Sequence, residues 1–147
     1  MSDADRHGAE TSQSLMGYHE LLGMQVVEWT QEFVVIELNI ADKHLNRSGI
    51  VHGGVLTSML DSALSLAGLY CSTPGHVRKG MTLSLTTTFV SPARHGVLRA
   101  TGTVRGGGAK TFMSSGEVRD EAGNLVALAE GAFRRRSGSE TQQGVPE

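Results

Sequence analysis

One segment constrains the fold more than any other. Over residues 53–70, apolar side chains recur at helical spacing: Val55, Leu56, Met59, Leu60, Ala63, Leu64 and Ala67. At 1.5 Å per residue this predicts a helix about 27 Å long. The other apolar segments read as strands. Residues 33–40 alternate, with Val34, Ile36, Leu38 and Ile40 on one face, and pair naturally with 24–29. Four more strands are predicted over 81–90, 97–104, 111–119 and 125–133. Ser91-Pro92, Gly106-Gly107-Gly108 and residues 120–124 separate them as turns. A single apolar helix among antiparallel strands can hide its surface only if the sheet wraps around it. The expected class is therefore α+β.

The boundaries follow from polarity. Residues 1–14 and 137–147 are rich in Ser, Gly, Glu and Gln and read as frayed tails around a domain over 15–136. Residues 15–22 suit a short opening helix. A chain of 147 residues fits one core, and 13 basic against 15 acidic residues marks neither a nucleic-acid binder nor a polybasic membrane anchor. Cys71 stands alone, which excludes an internal disulfide framework. No apolar run reaches the length of a membrane span and the first residues lack a signal-type apolar region, so the expected compartment is the cytoplasm. His7, His19, His44, His52, His76 and His95 include no pair four residues apart, so neither a metal nor another cofactor is expected.

One stripe of the helix is not ordinary core. Gly54, Thr57, Ser58, Asp61, Ser65 and Gly68 recur at spacings of three and four and share a face. A solvated helix face usually carries Lys, Glu or Arg, whereas this one has small residues and a single carboxylate. The pattern suits close approach of a second helix or the border of a narrow pocket, with Asp61 partly desolvated. His52-Gly53-Gly54 opens the helix, where backbone N–H groups lack intrahelical acceptors and the dipole is positive. Glycine there lets a ligand oxygen approach the amides, as a developing oxyanion requires.

Taken together, Asn46, Gly49, His52-Gly53-Gly54 and Asp61 form the pattern Asn-x-x-Gly-x-x-His-Gly-Gly followed by a carboxylate eight positions after the first glycine of the pair. With Gly80-Met81-Thr82, Phe89-Val90-Ser91-Pro92-Ala93 and Gly123-Asn124-Leu125-Val126-Ala127, the chain resembles the phenylacetate-pathway branch of the hotdog thioesterases over about residues 20–134. The resemblance implies a long helix wrapped by an antiparallel sheet, and a homodimer with shared active sites that assembles to a homotetramer. It implies that the Gly53 N–H polarises a thioester carbonyl and that Asp61 serves as general base or nucleophile. Asn46 would hold the water or the carboxylate, with Thr82 near the carboxylate. It also places coenzyme A along Gly54, Phe89, Val90, Ser91, Pro92 and Arg94, and along Gly107, Gly108, Lys110 and Thr111.

Two readings bear on these assignments. Strict alternation groups Thr82 with Ser84, Thr86 and Thr88, opposite Leu83, Leu85 and Phe89. If that apolar set faces its own helix, Thr82 reaches a site only across a dimer. His52 fits a supporting role better than that of a base, because no carboxylate partner is apparent. Arg94 and Lys110, both beside turns, suit phosphate groups. The expected reaction is hydrolysis of an acyl-CoA to a free acid and coenzyme A. The alternatives are a hydratase or dehydratase acting on the same thioester, and a non-catalytic acyl-CoA-binding module.

Overall fold

The computed structural model describes residues 16–147, so the expectation for the N-terminal tail lies outside the described residues. A short helix α1 (Tyr18–Leu22) leads into strands β1 (Met24–Trp29) and β2 (Phe33–Asn39). A 3-10 turn (Asp42–His44) and a loop then deliver the chain to the long helix α2 (Gly53–Ala67). Next come β3 (His76–Val77), β4 (Gly80–Phe89), β5 (Val97–Gly107), β6 (Thr111–Arg119), β7 (Leu125–Arg135) and β8 (Val145–Pro146). The main sheet is antiparallel in the order β1-β2-β5-β6-β7-β4, and α2 packs against β2, β4, β5, β6 and β7. Among the described residues no helix is long and apolar enough to cross a membrane.

The helix hides as its pattern requires. Met59, Leu60, Ala63, Leu64 and Ala67 have no exposed surface and meet Ile36, Leu98, Phe112, Val118 and Phe133 from the strands. Two glycines set how closely helix and sheet approach. Gly102 of β5 and Gly116 of β6 are direct cross-strand partners beneath α2. A Cβ on Gly102 would lie 2.3 Å from the Ala63 carbonyl oxygen, and one on Gly116 would lie 2.7 Å from a Leu64 methyl. Since the Ala63 obstacle is backbone, Gly102→Ala must displace the helix. The expected loss is about 1–3 kcal/mol, the usual scale of overpacking, read as a lowered thermal midpoint. Gly106→Ala is the control, because nothing lies within 4 Å of its Cβ position. Equal midpoints for the two variants would contradict this packing.

The end of the chain departs from the frayed tail that its composition suggests. β8 pairs with β3, the Ser139 hydroxyl accepts from the Lys79 amide at 2.8 Å, and Ser139 is 1% exposed. The buried Arg78 guanidinium donates to the carbonyls of Ser139, Tyr70 and Glu140. A polar segment is thus held by backbone pairing and one buried arginine rather than by apolar burial, which is why hydropathy does not reveal it. β4 is an edge strand of the main sheet and leaves Met81, Leu83 and Phe89 exposed, followed by Val90.

Candidate active site

His52 is the N-cap of α2. Its Nδ1 accepts the Gly54 amide at 2.8 Å, which places the proton of a neutral ring on Nε2. The amides of Val55 and Leu56 turn back to the His52 carbonyl. Among the described residues the Gly53 N–H has no protein acceptor, and it stands at the positive end of the helix. The Phe89 ring covers this position closely: a Cβ on Gly53 would lie 3.0 Å from Phe89 Cζ. Beside it opens a pocket of about 340 Å³ lined by Gly53, Leu56, Phe89, Val90, Ser91 and Pro92, among others. The structure therefore brings the expected substrate residues Phe89, Val90, Ser91 and Pro92 together beside the open amide. Gly54, with its N–H committed to His52, acts as part of the cap.

The loop before the helix is fixed by its own side chains. Asn46 Oδ1 accepts the amides of Ser48 at 2.9 Å and Ile50 at 3.2 Å, while Arg94 Nη1 donates to the Ser48 carbonyl at 3.2 Å. Asn46 is exposed and keeps its amide NH₂ free of protein acceptors among the described residues. On the other wall, the Ser91 hydroxyl donates to the Leu125 carbonyl and ties the Phe89–Pro92 corner to the start of β7.

Asp61 lies on the middle of α2, partly exposed, and its Oδ1 accepts the Thr82 hydroxyl at 2.6 Å within the same chain. This corrects the expectation that strand parity turns Thr82 away from its own helix. β4 carries a bulge between Thr82 and Ser84: Thr82 pairs with Phe133, Ser84 with Ala132, and Leu83 is the extra residue. The bulge switches parity, so Thr82 and the later Leu85, Thr87 and Phe89 all face α2.

The small-residue stripe has more than one use. Tyr18 of α1 hydrogen-bonds Ser58 at 2.6 Å, and His19 bonds the neighbouring Ser62 at 2.7 Å. Gly68 receives the Phe112 ring, which would lie 2.2 Å from a Cβ there. Thr57, Asp61 and Ser65 remain partly exposed between them. Asp61 and Gly53 are eight residues apart on one helix, about 12 Å along its axis. Within one chain the two groups are thus set apart along the helix.

The glycine-rich turn stands apart from that corner within one chain. Gly107, Gly108, Lys110 and Thr111 form the β5–β6 hairpin turn, closed by Gly108 N–H to the Thr111 carbonyl. Arg135 holds this turn to the carboxyl end of α2. Its Nε donates to the Gly68 carbonyl at 2.9 Å, and its Nη1 to Gly108 and Ala109 at 2.8 and 3.1 Å. The turn and the Phe89–Arg94 corner thus lie at opposite ends of a 15-residue helix, about 22 Å apart along its axis. They do not form one binding surface within a chain. Arg78 and Arg135 were not anticipated as inward-facing residues. For Arg135 a signal existed, since strand alternation from the buried Phe133 turns it inward between Arg134 and Arg136.

Residues 48–127, more than half of the chain, match the sequence profile of the thioesterase superfamily. The chain is 29% identical over 121 residues to the acyl-coenzyme A thioesterase PaaI of Escherichia coli, covering 82% of this chain and 83% of that one. It is 26% identical over 104 residues to mouse acyl-coenzyme A thioesterase 13, covering 69% and 72%. The solved structure of the E. coli PaaI protein from the phenylacetic acid degradation operon superposes with a TM-score of 0.78 at 25% identity. That match covers 92% of this chain and 98% of that chain.

Proposed function

The chain belongs to the thioesterase superfamily and is a hotdog-fold thioester hydrolase, and we propose that it cleaves acyl-CoA thioesters at sites shared between two subunits. What carries this reading is the placing of the open Gly53 amide and Asp61 eight residues apart on one helix, about 12 Å along its axis, although their chemistry must converge. In a two-fold pair, the Gly53 end of one helix meets the Asp61 region of the other, and symmetry then creates two equivalent sites. The partly exposed Thr57, Asp61 and Ser65 are small enough for such an approach. The edge strand β4, with Met81, Leu83 and Phe89 uncovered, is the kind of edge and apolar surface that proteins seldom leave bare. A homotetramer then follows by pairing of the outer sheet faces, where Met113 and Leu128 are exposed among threonines.

The reaction needs few groups. Water attacks the thioester carbon while Asp61 accepts its proton, and negative charge develops on the carbonyl oxygen. The Gly53 N–H and the helix dipole stabilise that charge. The Thr82 hydroxyl occupies Oδ1 of Asp61 and leaves Oδ2 to receive the proton. The free Asn46 amide, brought from the Gly53 side, orients the water. Collapse of the intermediate breaks the C–S bond, yields the acid and releases the thiolate, which takes up a proton to give coenzyme A.

The coenzyme would enter along Phe89, Val90, Ser91 and Pro92, with Arg94 meeting a phosphate and Lys110 of the partner subunit completing the groove with its glycine turn. Arg94→Ala should raise KM severalfold at low salt with little change in kcat, the mark of uniform binding. The difference should shrink at high salt as exposed charges are screened. A salt-independent change would mean that Arg94 acts only through its bond to the Ser48 carbonyl. Thiol release from phenylacetyl-, benzoyl-, medium-chain and long-chain acyl-CoA tests the reaction itself. Turnover of at least one class is expected, while binding without thiol release would leave a carrier module in place of an enzyme.

A further inference from the structure

At the carboxyl end of α2, far from Gly53, the C-terminal segment closes a second pocket of about 290 Å³. Tyr70, Arg78, Ala109, Arg135, Glu140 and Gln142 are among its walls. Its electrostatics are unusual. Arg78 is only 9% exposed, and it faces a second, partly buried guanidinium at Arg135. Neither forms an ion pair: among the described residues the ion pairs are Arg99–Glu37 and Arg119–Glu117. The one carboxylate of the wall, Glu140, accepts the Gly138 amide through Oε2.

The donors are only partly used. A guanidinium carries five N–H groups. Arg78 makes three bonds, to the carbonyls of Ser139, Tyr70 and Glu140 at 2.9, 3.2 and 3.3 Å. Arg135 also makes three, all through Nε and Nη1, and stacks over Phe112 at 4.4 Å. Its Nη2 has no protein acceptor among the described residues. Carbonyl dipoles satisfy hydrogen bonds without neutralising charge, and buried charges in proteins are ordinarily paired. Burial, and next the repulsion from Arg135, hold the Arg78 guanidinium below the usual arginine range, and burial does the same to Arg135.

We propose that this pocket is an oxyanion site, taking a phosphate-class anion, free or as a phosphomonoester, between Arg78 and Arg135. Tetrahedral oxygens can accept from both forks at once, and bidentate recognition of this kind is what arginine does best. The site goes beyond thioester cleavage and would fasten the C-terminal segment, whose Ser139 and Glu140 carbonyls hang on Arg78, to the end of the helix.

The protein carries its own probe. Trp29 is its one tryptophan, and its ring meets Tyr70 of the pocket wall edge-on at 6.1 Å. Full-length protein is titrated with inorganic phosphate, with adenosine 3′,5′-bisphosphate, and with chloride at matched ionic strength, following Trp29 fluorescence and the thermal midpoint. A saturable response to either phosphate, absent with chloride, is expected, and the two arms tell a free anion from a nucleotide one. Folded Arg135→Gln should bind at least about tenfold more weakly, the scale of one hydrogen bond to a charged group. Should Arg135→Gln fail to fold, Gln142→Glu provides the second test. A carboxylate placed in the wall should raise the thermal midpoint without phosphate and abolish the response to it. A response equalled by chloride, or one that survives unchanged in the tested variant, overturns the proposal.

Discussion

Gly53→Pro should leave α2 folded and lower kcat by about 10²–10³-fold, the usual cost of removing one oxyanion donor. Gly53 is the first residue of the helix after the His52 cap, the position where proline is best tolerated because its missing N–H has no intrahelical acceptor. His52, at φ −60° and ψ 135°, already has the extended backbone that a following proline demands. The substitution thus deletes the proposed donor and little else, apart from crowding the Phe89 ring. Gly53→Ala measures that crowding separately, since it adds the same Cβ while keeping the N–H. If both variants retain native circular dichroism and only proline loses activity, the amide is the donor. Equal activities would remove Gly53 from the chemistry.

The second large effect is expected at Asp61. Asp61→Ala should lower kcat by about 10²-fold or more, as for other acid–base groups. The fold should survive, because the residue is only partly buried and its side-chain partner, the Thr82 hydroxyl, is on an exposed strand where water can replace the carboxylate. Steady-state thiol release with a folding check by circular dichroism decides it. Near-wild-type turnover in a folded variant would assign proton transfer elsewhere.

The legibility of this fold in its sequence follows the length and regularity of its signals. The period of α2 and the alternation of β2 were plain because each buries one face. The predicted helix overran at its carboxyl end, since Gly68, Leu69 and Tyr70 continue the apolar pattern while the backbone turns at Gly68. The Thr82 parity is hidden in the sequence because a bulge is a backbone event that no residue type at Leu83 announces. β3 and β8 leave no sequence signal because two-residue strands have no period, and because a buried Arg78 in a polar segment reads as surface. Asn46, His52, Gly53 and Asp61 were legible as a pattern. The spacing of Gly53 and Asp61 along the helix was legible too, whereas no sequence distance reports whether one chain or two complete a site.

That relation is tested most directly by mixing lesions. Gly53→Pro subunits are combined in equal amounts with Asp61→Ala subunits after reversible unfolding, and subunit exchange is verified by mass-tagged heterodimers. Each homodimer carries one lesion in both sites and should be nearly inactive. In a heterodimer with shared sites, one site holds both lesions and the other holds neither. Random pairing makes half of the dimers mixed, so activity should return to about a quarter of wild type under this symmetry. Demonstrated exchange with no recovery above the two homodimers would mean that Gly53 and Asp61 serve one site from a single chain, contradicting the shared-site account.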